Sequence, residues 1–304
     1  MEQGKTMDRK KIYILQDEQL VIYEKFRKIG YDNADFMFSK MVNFIRLQHK
    51  NTRLPVAVVG ASGGIDSSFV LAAAVKALGV ENVKMVRLPY DGIKSSCDDS
   101  IRYAGFLAGY LGIPEHNIIT VPIRGAIDTW RKSIIGSGLS EPNPKQLGNA
   151  MARERMKILY HVADEYKGLV LDTCNNTEIK MGYLTKHGDG ASDYNPVGDL
   201  YKVWIWQIAK KLMLTPGEII EREPSADLVP GQTDVEDLGI AYEPLDLLLW
   251  LYFDNGVSIP ELTNGYHYPI EIVNMIMNRI DANRHKSNPV PVCRITEING
   301  MIRV

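Results

Sequence analysis

The chain of 304 residues is 45% hydrophobic and 24% charged, a composition typical of a folded globular protein rather than a disordered or fibrous one. Its formal net charge is only −2, with a pI near 6.3, so no global positive field invites nucleic acid or an anionic membrane surface as a partner. The longest strongly apolar run, Leu247–Phe253, is far shorter than the ~20 residues that a membrane span needs.

At the N-terminus, residues 1–11 are charged and no apolar signal region follows them, which predicts a cytoplasmic protein. Residues 34–49 place apolar side chains at helical spacing, so we predict an amphipathic helix within a helical extension that covers about residues 1–54. The run Val56–Val59, β-branched and bounded by proline and glycine, predicts a strand covered on both faces. Residues 66–78, rich in alanine and leucine and followed by a glycine, predict a buried helix.

The alternation of strands and helices continues to residue 171. Apolar runs predict strands at 83–88, 118–121 and 169–171, and helical patterns cover 98–111 and 144–166. Such alternation implies right-handed crossovers. We therefore predict an α/β fold with a doubly wound, mainly parallel sheet flanked by helices.

The C-terminal part predicts a loop followed by helices. Gly, Asp and Asn are concentrated in residues 184–199, which predicts a loop, and residues 200–212 predict an amphipathic helix. Helical patterns return at 243–253 and 269–283, within a C-terminal helical extension that begins near residue 240. No linker divides the chain, so we predict one domain. The three cysteines are an odd number without close pairing, which indicates reduced thiols rather than disulfides or a zinc site.

The most informative segment is Gly60–Ser68, which reads Gly-Ala-Ser-Gly-Gly-Ile-Asp-Ser-Ser and lies between the first predicted strand and the buried helix. Its glycines allow the close backbone approach with which consecutive amides surround an anion, and its serines add hydroxyl donors. The start of a helix adds unpaired amides and the positive end of the helix dipole, so the segment predicts a phosphate-binding loop. Asp66 would repel phosphate unless a cation intervened, which makes it a candidate Mg²⁺ ligand.

A simpler interpretation is a glycine-rich turn in which Asp66 caps the helix, because aspartate favours that position. Such a turn needs neither three glycines nor three serines, so the phosphate loop is the better hypothesis. The segment lacks the Gly-Lys-Ser/Thr of a Walker A loop. It resembles instead the Ser-Gly-Gly-x-Asp-Ser signature of the PP-loop ATP pyrophosphatases, which cleave ATP between the α and β phosphates and transfer AMP to a substrate.

Further segments resemble the NAD synthetases within that superfamily. They follow the family's order and are Gly-Asn-x-x-Ala-Arg-x-Arg-Met at 148–156, a Lys-x-Gly-Asp-Gly loop at 186–193, Pro-Ser-Ala-Asp-Leu at 224–228, Gly-Gln-Thr-Asp at 231–234 and His-Lys at 285–286. The resemblance covers roughly residues 35–292. It implies an adenine nucleotide alpha hydrolase-like, Rossmann-like fold.

The resemblance also implies roles for individual residues. ATP would contact Gly60, Ala61, Ser62, Gly63, Gly64, Ile65, Asp66, Ser67, Arg87, Thr173, Lys202 and Ser225. Deamido-NAD, the nicotinic acid adenine dinucleotide, would contact Asn149, Arg153, Lys186, Asp193, His285 and Lys286. Mg²⁺ would be held by Asp66 and Glu178, and the catalytic residues would be Asp66, Lys186 and Lys202. Residues 174–177 depart from the family's usual sequence, and no residue of 91–94 is assigned to adenine.

Some of these side chains also have simpler interpretations. Arg153 and Arg155 could be solvated helix charges, although the surrounding motif favours ligand binding for Arg153 alone. Glu178 could be a first-turn carboxylate placed by a helix dipole. His285 could be an ordinary surface histidine near a helix end.

The implied activity is that of an ammonia-dependent NAD synthetase. The nicotinate carboxylate would attack the α-phosphate of ATP, pyrophosphate would leave, and ammonia would displace AMP from the acyl adenylate. The roughly 54 residues before the first strand are too few for an additional amidase domain, so we expect free ammonia as the nitrogen source, with ammonia channelled from a separate glutaminase subunit as the alternative. The family also implies a homodimer, with the apolar faces of residues 34–49 and 144–166 as candidate interfaces or as monomer core. Two alternatives stay open: another PP-loop adenylating synthetase, and a non-catalytic adenine-nucleotide sensor.

Overall fold

The computed structural model describes residues 12–90, 96–225, 233–288 and 291, and for 96–100 it describes the backbone alone. At its centre lies a four-stranded sheet of β1 (Val56–Gly60), β2 (Val83–Arg87), β3 (Ile118–Thr120) and β4 (Gly168–Val170). All the pairs are parallel, and the strand order is β3-β2-β1-β4. The predicted strands are confirmed, except that β4 ends at Val170 and Leu171 forms only an isolated bridge with Tyr194.

Helices surround this sheet and extend beyond it. In chain order they are α1 (Asp17–Asp32), α2 (Ala34–Thr52), α3 (Ile65–Leu78), α4 (Ser96–Leu111), α5 (Arg124–Gly136), α6 (Pro144–Tyr166), α7 (Asn176–Met181), α8 (Lys202–Leu212), α9 (Gly217–Ile220), α10 (Asp234–Leu238), α11 (Tyr242–Leu249), α12 (Ile259–Asn264) and α13 (Ile270–Ser287). A π-helical turn, Trp250–Asp254, continues α11. The long predicted helices are therefore confirmed, and residues 184–199 form the predicted loop.

Several helices were not predicted. Four of them, α7, α9, α10 and α12, have six residues or fewer, too short to show a helical period. Capping boxes nevertheless begin α7 and α12, at Asn175 and Ser258, and these are local sequence signals that mark a helix start. The last helix was predicted to end at Asn283 but continues to Ser287, so it carries the His-Lys pair.

Alternate residues of β1 face two different hydrophobic clusters, as the pleat of a strand requires. Ala57 and Val59 pack with α2, α3, α4 and α8, whereas Val56 and Val58 pack with α5 and α6. Because the sheet is covered on both faces, its strands are apolar throughout. The doubly wound architecture predicted from the alternation is confirmed.

A third cluster joins the two ends of the chain. Phe26 of α1 packs against Tyr201, Trp204 and Trp250, with ring centroids 5.2–5.7 Å apart. Helices α11 and α13 complete this cluster around α8. Within the described residues, no helix is long and apolar enough to cross a membrane.

Candidate active site

The strand order reverses at β1, since the chain runs outward through β2 and β3 and returns with β4 on the other side of β1. In open α/β sheets, ligands bind beyond the carboxyl ends of the strands at such a switch point. A cavity of about 900 Å³ lies there. Its walls include the phosphate loop after β1, Arg87 at the end of β2 and Leu171–Cys174 after β4. The fold therefore places the predicted loop where a nucleotide is expected.

The phosphate loop turns sharply between β1 and α3. Ala61 N donates to Val86 O at 2.8 Å and extends the pairing of β1 with β2 into the loop. Gly63 then has a φ of 75°, a left-handed conformation that favours glycine. Gly64 precedes the first helical residue and has no side chain with which to cap the helix. The first-turn amides of α3 consequently lack intrahelical acceptors and lie at the cavity wall.

The serines of the loop have different roles. Ser62 and Ser67 line the cavity, and their hydroxyl oxygens are 3.1 Å apart. Ser68 is fully buried and donates to Gly64 O at 2.7 Å, so it holds the loop and is not available as the predicted phosphate donor. The alternative in which Asp66 caps α3 is also wrong, because Gly64 occupies the capping position and Asp66 lies within the first turn.

Asp66 is at the centre of the charged part of the cavity. Lys202, the first residue of α8, donates from Nζ to Asp66 Oδ2, and its side chain is only 3% exposed. Asn175 Nδ2 donates to Asp66 Oδ1 at 3.2 Å. Asn175 also forms the capping box with Glu178, in which both hydrogen bonds are 3.0 Å long. Asn175 thus links the two carboxylates that were predicted to share Mg²⁺.

The first-turn interpretation of Glu178 is correct as far as it goes, since Glu178 does stabilise the start of α7. Glu178 also lines the cavity, so its position as a cap places its carboxylate beside the Asp66–Lys202 pair. Burial, and then the charge of Asp66, raise the pKa of Glu178, while Lys202 lowers it. Burial alone would lower the pKa of Lys202, but the carboxylates of Asp66, Glu178 and Asp234 raise it above its usual value. The site therefore holds an ammonium group surrounded by acids.

The residues predicted to contact ATP are brought together by the fold. Those that line the cavity are Gly60, Ala61, Ser62, Gly64, Ile65, Asp66, Ser67, Arg87, Thr173, Lys202 and Ser225. Gly63 shapes the loop without lining the cavity. Arg87 Nε donates to Thr120 Oγ1 at 2.9 Å, which holds the guanidinium at the edge of the sheet.

The residues predicted to contact deamido-NAD are divided. Asn149 and Lys286 line the cavity. Lys286 Nζ donates to Gly182 O at 2.7 Å and to Leu184 O at 3.0 Å, which joins α13 to the end of α7. The contact is close because residue 182 is glycine with a φ of 57°, and a Cβ there would lie 2.3 Å from Asn283 Cβ.

The other four predicted acceptor residues are outside the cavity of this chain. Arg153 is exposed and donates from Nε to Lys186 O at 3.2 Å. Lys186 Nζ in turn donates to the carbonyl of His285, whose own side chain is exposed. Asp193 Oδ2 accepts from Val170 N at 2.7 Å. Asn149 and Arg153 do share a helix, but they do not both face this cavity.

Sequence reasoning overlooked other cavity residues. Arg155, which was set aside in favour of Arg153, lines the cavity and donates from Nε to Leu88 O at 3.1 Å. Asp234 also lines it and accepts from Tyr183 at 3.1 Å and from Tyr242 at 2.8 Å. Asp234 is the last residue of the Gly-Gln-Thr-Asp match at 231–234, so this motif could have predicted it as a site residue. Arg279, whose guanidinium is 5.3 Å from the ring centroid of Tyr183, had no local signal.

Some predicted positions are outside the described residues or have other roles. Residues 91–94, where no adenine contact was assigned, are not described, nor are 226–232 within the matched segments. Cys174 is a free, buried thiol that lines the cavity and donates to Asp189 O at 3.3 Å. Burial raises the pKa of the Cys174 thiol, which keeps it protonated. This agrees with the expectation of a reduced cysteine.

Comparison with known proteins gives a consistent result. The family model for NAD synthase matches residues 37–290, close to the extent of the sequence resemblance. The NH(3)-dependent NAD(+) synthetase of Fusobacterium nucleatum is 36% identical over 264 residues, which are 86% of this chain and 97% of that protein.

Two solved structures are similar over the same region. An NMN synthetase from Francisella tularensis has a TM-score of 0.73 and 28% identity, with 86% of this chain and 99% of that one covered. An NH3-dependent NAD synthetase from Campylobacter jejuni has a TM-score of 0.66 and 27% identity, with the same coverage. The first protein is named a synthetase of a mononucleotide, NMN, and the second a synthetase of a dinucleotide, NAD. The fold alone therefore does not distinguish their substrates.

Proposed function

The chain belongs to the NAD synthase family, and we propose that it is an ammonia-dependent NAD synthetase that uses ATP to amidate deamido-NAD. The observation that carries the proposal is the meeting of the phosphate loop, Asp66, Lys202 and Glu178 in one cavity at the switch point of the sheet. The relatives share almost their full length with this chain. The activity is therefore that of a ligase that forms a C–N bond.

The charged centre suits the adenylation step. When the nicotinate carboxylate attacks the α-phosphate, the bond between the α and β phosphates breaks and pyrophosphate carries away the electron pair. We expect that charge to develop beside the amides that begin α3 and the ammonium of Lys202, two positive groups that the fold holds in place. Such preorganised groups are effective because they need no rearrangement during the reaction. Ammonia then attacks the acyl carbon, AMP leaves, and the nitrogen loses a proton.

The donor set also fits Mg²⁺. Asp66 and Glu178 both line the cavity and are joined through Asn175. In the part of the chain that the structure describes, no group of three or more His, Cys, Asp or Glu side chains is arranged to hold a metal. Mg²⁺ commonly takes one or two carboxylates and completes its coordination with phosphate oxygens and water, so two acids suffice. When bound, Mg²⁺ would neutralise charge on the phosphates.

The acceptor half of the site supports a homodimer. Arg153, Asp193 and His285 are exposed, and none of them lines the cavity of its own chain. We propose that a second copy presents some of these residues to the cavity. The apolar side of α6 is used within the monomer core, but Phe36 and Leu47 of α2 are 62% and 51% exposed and provide apolar surface for such a contact. Sedimentation at micromolar concentration should give twice the monomer mass.

A mononucleotide acceptor is the second candidate, because the Francisella tularensis protein of the same fold is named an NMN synthetase. Both acceptors carry the same nicotinate carboxylate, so the chemistry would not change. Deamido-NAD is preferred because the curated relative at 36% identity is named an NAD synthetase. We place the reaction in the cytoplasm, where ATP and both acceptors would be available.

A direct assay tests the function and its alternatives together. Purified protein is incubated with ATP, Mg²⁺ and ammonium, and with either deamido-NAD or nicotinate mononucleotide, and the products are separated by chromatography. We expect NAD, AMP and pyrophosphate in equal amounts from deamido-NAD. ADP and phosphate would show that the loop had been misinterpreted. Preference for the mononucleotide would support the second candidate, and ATP binding without turnover of either acceptor would indicate a sensor.

A further inference from the structure

Asp246 is a buried acid in a run of apolar residues. It lies in α11 between Leu245 and Leu247, and all three side chains are completely buried. Asp246 is not among the residues that line the cavity. A buried carboxylate costs free energy unless it is well hydrogen-bonded, so its presence inside an apolar helix needs a reason.

Both oxygens of Asp246 bind groups at the starts of other helices. Oδ1 accepts from the hydroxyl of Thr177 at 2.6 Å, and Oδ2 accepts from the backbone N–H of Val203 at 2.8 Å. Thr177 Oγ1 also accepts from the backbone N–H of Lys202 at 3.2 Å. The first two amides of α8 are therefore satisfied from α7 and α11. The residue before α8, Tyr201, provides no side-chain cap of its own.

The two helix starts held in this way carry the charged residues of the cavity. Lys202 is the first residue of α8, and its ammonium contacts Asp66. Thr177 precedes Glu178, whose carboxylate lines the cavity. A negative charge at a helix N-terminus is also favourable because it complements the helix dipole. One buried carboxylate thus connects the backbone positions from which both side chains reach into the site.

We propose that Asp246 is a positioning residue for the reaction, which fixes the starts of α7 and α8 so that Lys202 and Glu178 meet Asp66 in the geometry that the phosphates require. This inference rests on the proposed function. Asp246 acts through Thr177 and the amide of Val203 and touches no reacting atom. Without it, the amide of Val203 would lose its acceptor and Thr177 its partner, so the start of α8 that carries Lys202 would be held less firmly.

The test compares Asp246→Asn and Asp246→Ala with a matched control. Tyr268→Phe is the control because it removes a 2.8 Å hydrogen bond, also buried, to Pro244 O of the same helix but leaves the hydrogen bonds of Asp246 with Thr177 and Val203 in place. We expect kcat to fall roughly 10- to 100-fold in Asp246→Ala, because misplaced catalytic groups cost rate even when the mutation is remote. Asp246→Asn should retain more activity than Asp246→Ala, since its carbonyl can still accept from Val203. KM for the acceptor should change less than about threefold in each variant.

A second variant guards against a failure to fold. Thr177→Val removes the hydroxyl that donates to Asp246 and keeps a side chain of similar shape. It should also lower kcat. Its effect should not add to that of Asp246→Asn, because residues in one hydrogen-bond network are coupled. If kcat of the folded Asp246 variants and of Thr177→Val stays at the level of Tyr268→Phe, Asp246 has only a structural role and the proposal is wrong.

ATP binding separates this inference from the proposed function. Calorimetry with ATP and Mg²⁺, without any acceptor, should show affinity about tenfold weaker in Asp246→Asn than in wild type, because a displaced Lys202 loses a charge-assisted contact. The control variant should bind like wild type. If wild type fails to make NAD but this difference in affinity persists, the proposed function is wrong while the positioning role stands. Equal ATP affinity, together with unchanged kcat, would overturn the positioning role.

Discussion

The two halves of the cavity differ in how completely one chain builds them. In the half around Asp66, hydrogen bonds hold the charged groups in place: Lys202 donates to Asp66, and Asn175 joins Asp66 to Glu178. In the half expected to hold deamido-NAD, Arg153 and His285 are exposed and lie outside the cavity. In one chain the charged groups around Asp66 are thus connected by hydrogen bonds, whereas four of the six predicted acceptor residues lie outside the cavity.

The difference follows from where the residues lie in the fold. The phosphate loop joins a buried strand to a buried helix, so packing on both faces of the sheet fixes its position. The predicted acceptor residues outside the cavity lie on the outer parts of α6, α13 and the 184–199 loop, where Arg153 donates to Lys186 O and Asp193 accepts from Val170 N. Packed helices and strands position side chains more accurately than exposed loops do. The half of the cavity around Asp66, where negative charge develops on the phosphates, is built on such packed elements.

The largest effect on activity is expected from Asp66→Ala, which removes the carboxylate at the centre of the phosphate half. Loss of this carboxylate should reduce kcat about 10³-fold, the scale seen when one preorganised electrostatic group is removed. Because this variant also leaves the buried Lys202 ammonium without its partner, its folding is checked by circular dichroism before the rate is compared. Ser68→Ala is the control, since that hydroxyl is buried and donates to Gly64 O within the loop. Full turnover by a folded Asp66→Ala protein would contradict the assignment of the whole phosphate half.

Mixing two inactive variants tests whether the other half is completed by a second copy. Asp66→Ala has a damaged phosphate half, and Arg153→Ala a damaged acceptor half. If Arg153 acts across a dimer, each mixed dimer contains one intact site, and about a quarter of wild-type activity should return on random exchange of subunits. Steady-state rates before and after exchange measure this. No recovery in mixtures shown to contain mixed dimers would place Arg153 in its own chain's site or outside both.

Lys202→Met should cost stability as well as activity. Removal of this ammonium leaves Asp66, Glu178 and Asp234 without their cation, and breaking a buried pair costs on the order of 3 kcal/mol. Urea unfolding of the ligand-free protein gives the loss directly. The double variant with Asp66→Asn should lose less than the sum of the two single losses. Strict additivity would mean that the two side chains do not interact in solution.

The smallest expected effect is the contribution of Asp246 to the pH dependence of the unfolding free energy. Burial raises the pKa of Asp246 to about 7, although hydrogen bonds from Thr177 and Val203 and the charge of Lys202 lower it. Its folded pKa is above its unfolded value, so the folded state binds the extra proton and Asp246 favours folding most at low pH. That contribution is lost as pH rises from about 4 to about 7. Glu243 on the same helix raises this pKa further.

The Asp246 effect can be isolated by subtraction. Unfolding free energies of wild type and Asp246→Asn are measured at several pH values between 5 and 8, because the other acids titrate alike in both proteins. The stability of wild type relative to the variant should fall with rising pH and then level off above about pH 7. If the difference in unfolding free energy between the two proteins is constant from pH 5 to pH 8, Asp246 does not titrate in that range and the prediction is wrong.

Local sequence patterns determined the framework of this protein. Apolar β-branched runs, helical periods and glycines predicted the four strands and most of the long helices, because these signals act over neighbouring residues. The 13-residue helix α5 was not predicted. The phosphate loop was predicted for the same reason, since its strand, glycines, serines and helix start are contiguous at Gly60–Ser68. Two details of the loop differed from the prediction: Gly63 does not line the cavity, and the Ser68 hydroxyl donates to Gly64 O, because such contacts depend on the exact geometry of the turn.

Tertiary structure alone decided which distant residues meet. Nothing in the spacing of Asp66, Asn175 and Lys202 indicates that their side chains touch, and Asp246 is 43 positions from the amide it caps. Arg155 faces the cavity while Arg153 does not, because the rotation of α6 against β1 and β4 is set by packing of the whole helix. Periodicity defines the apolar face of a helix, whereas the contacts at its edges depend on every element that packs around it.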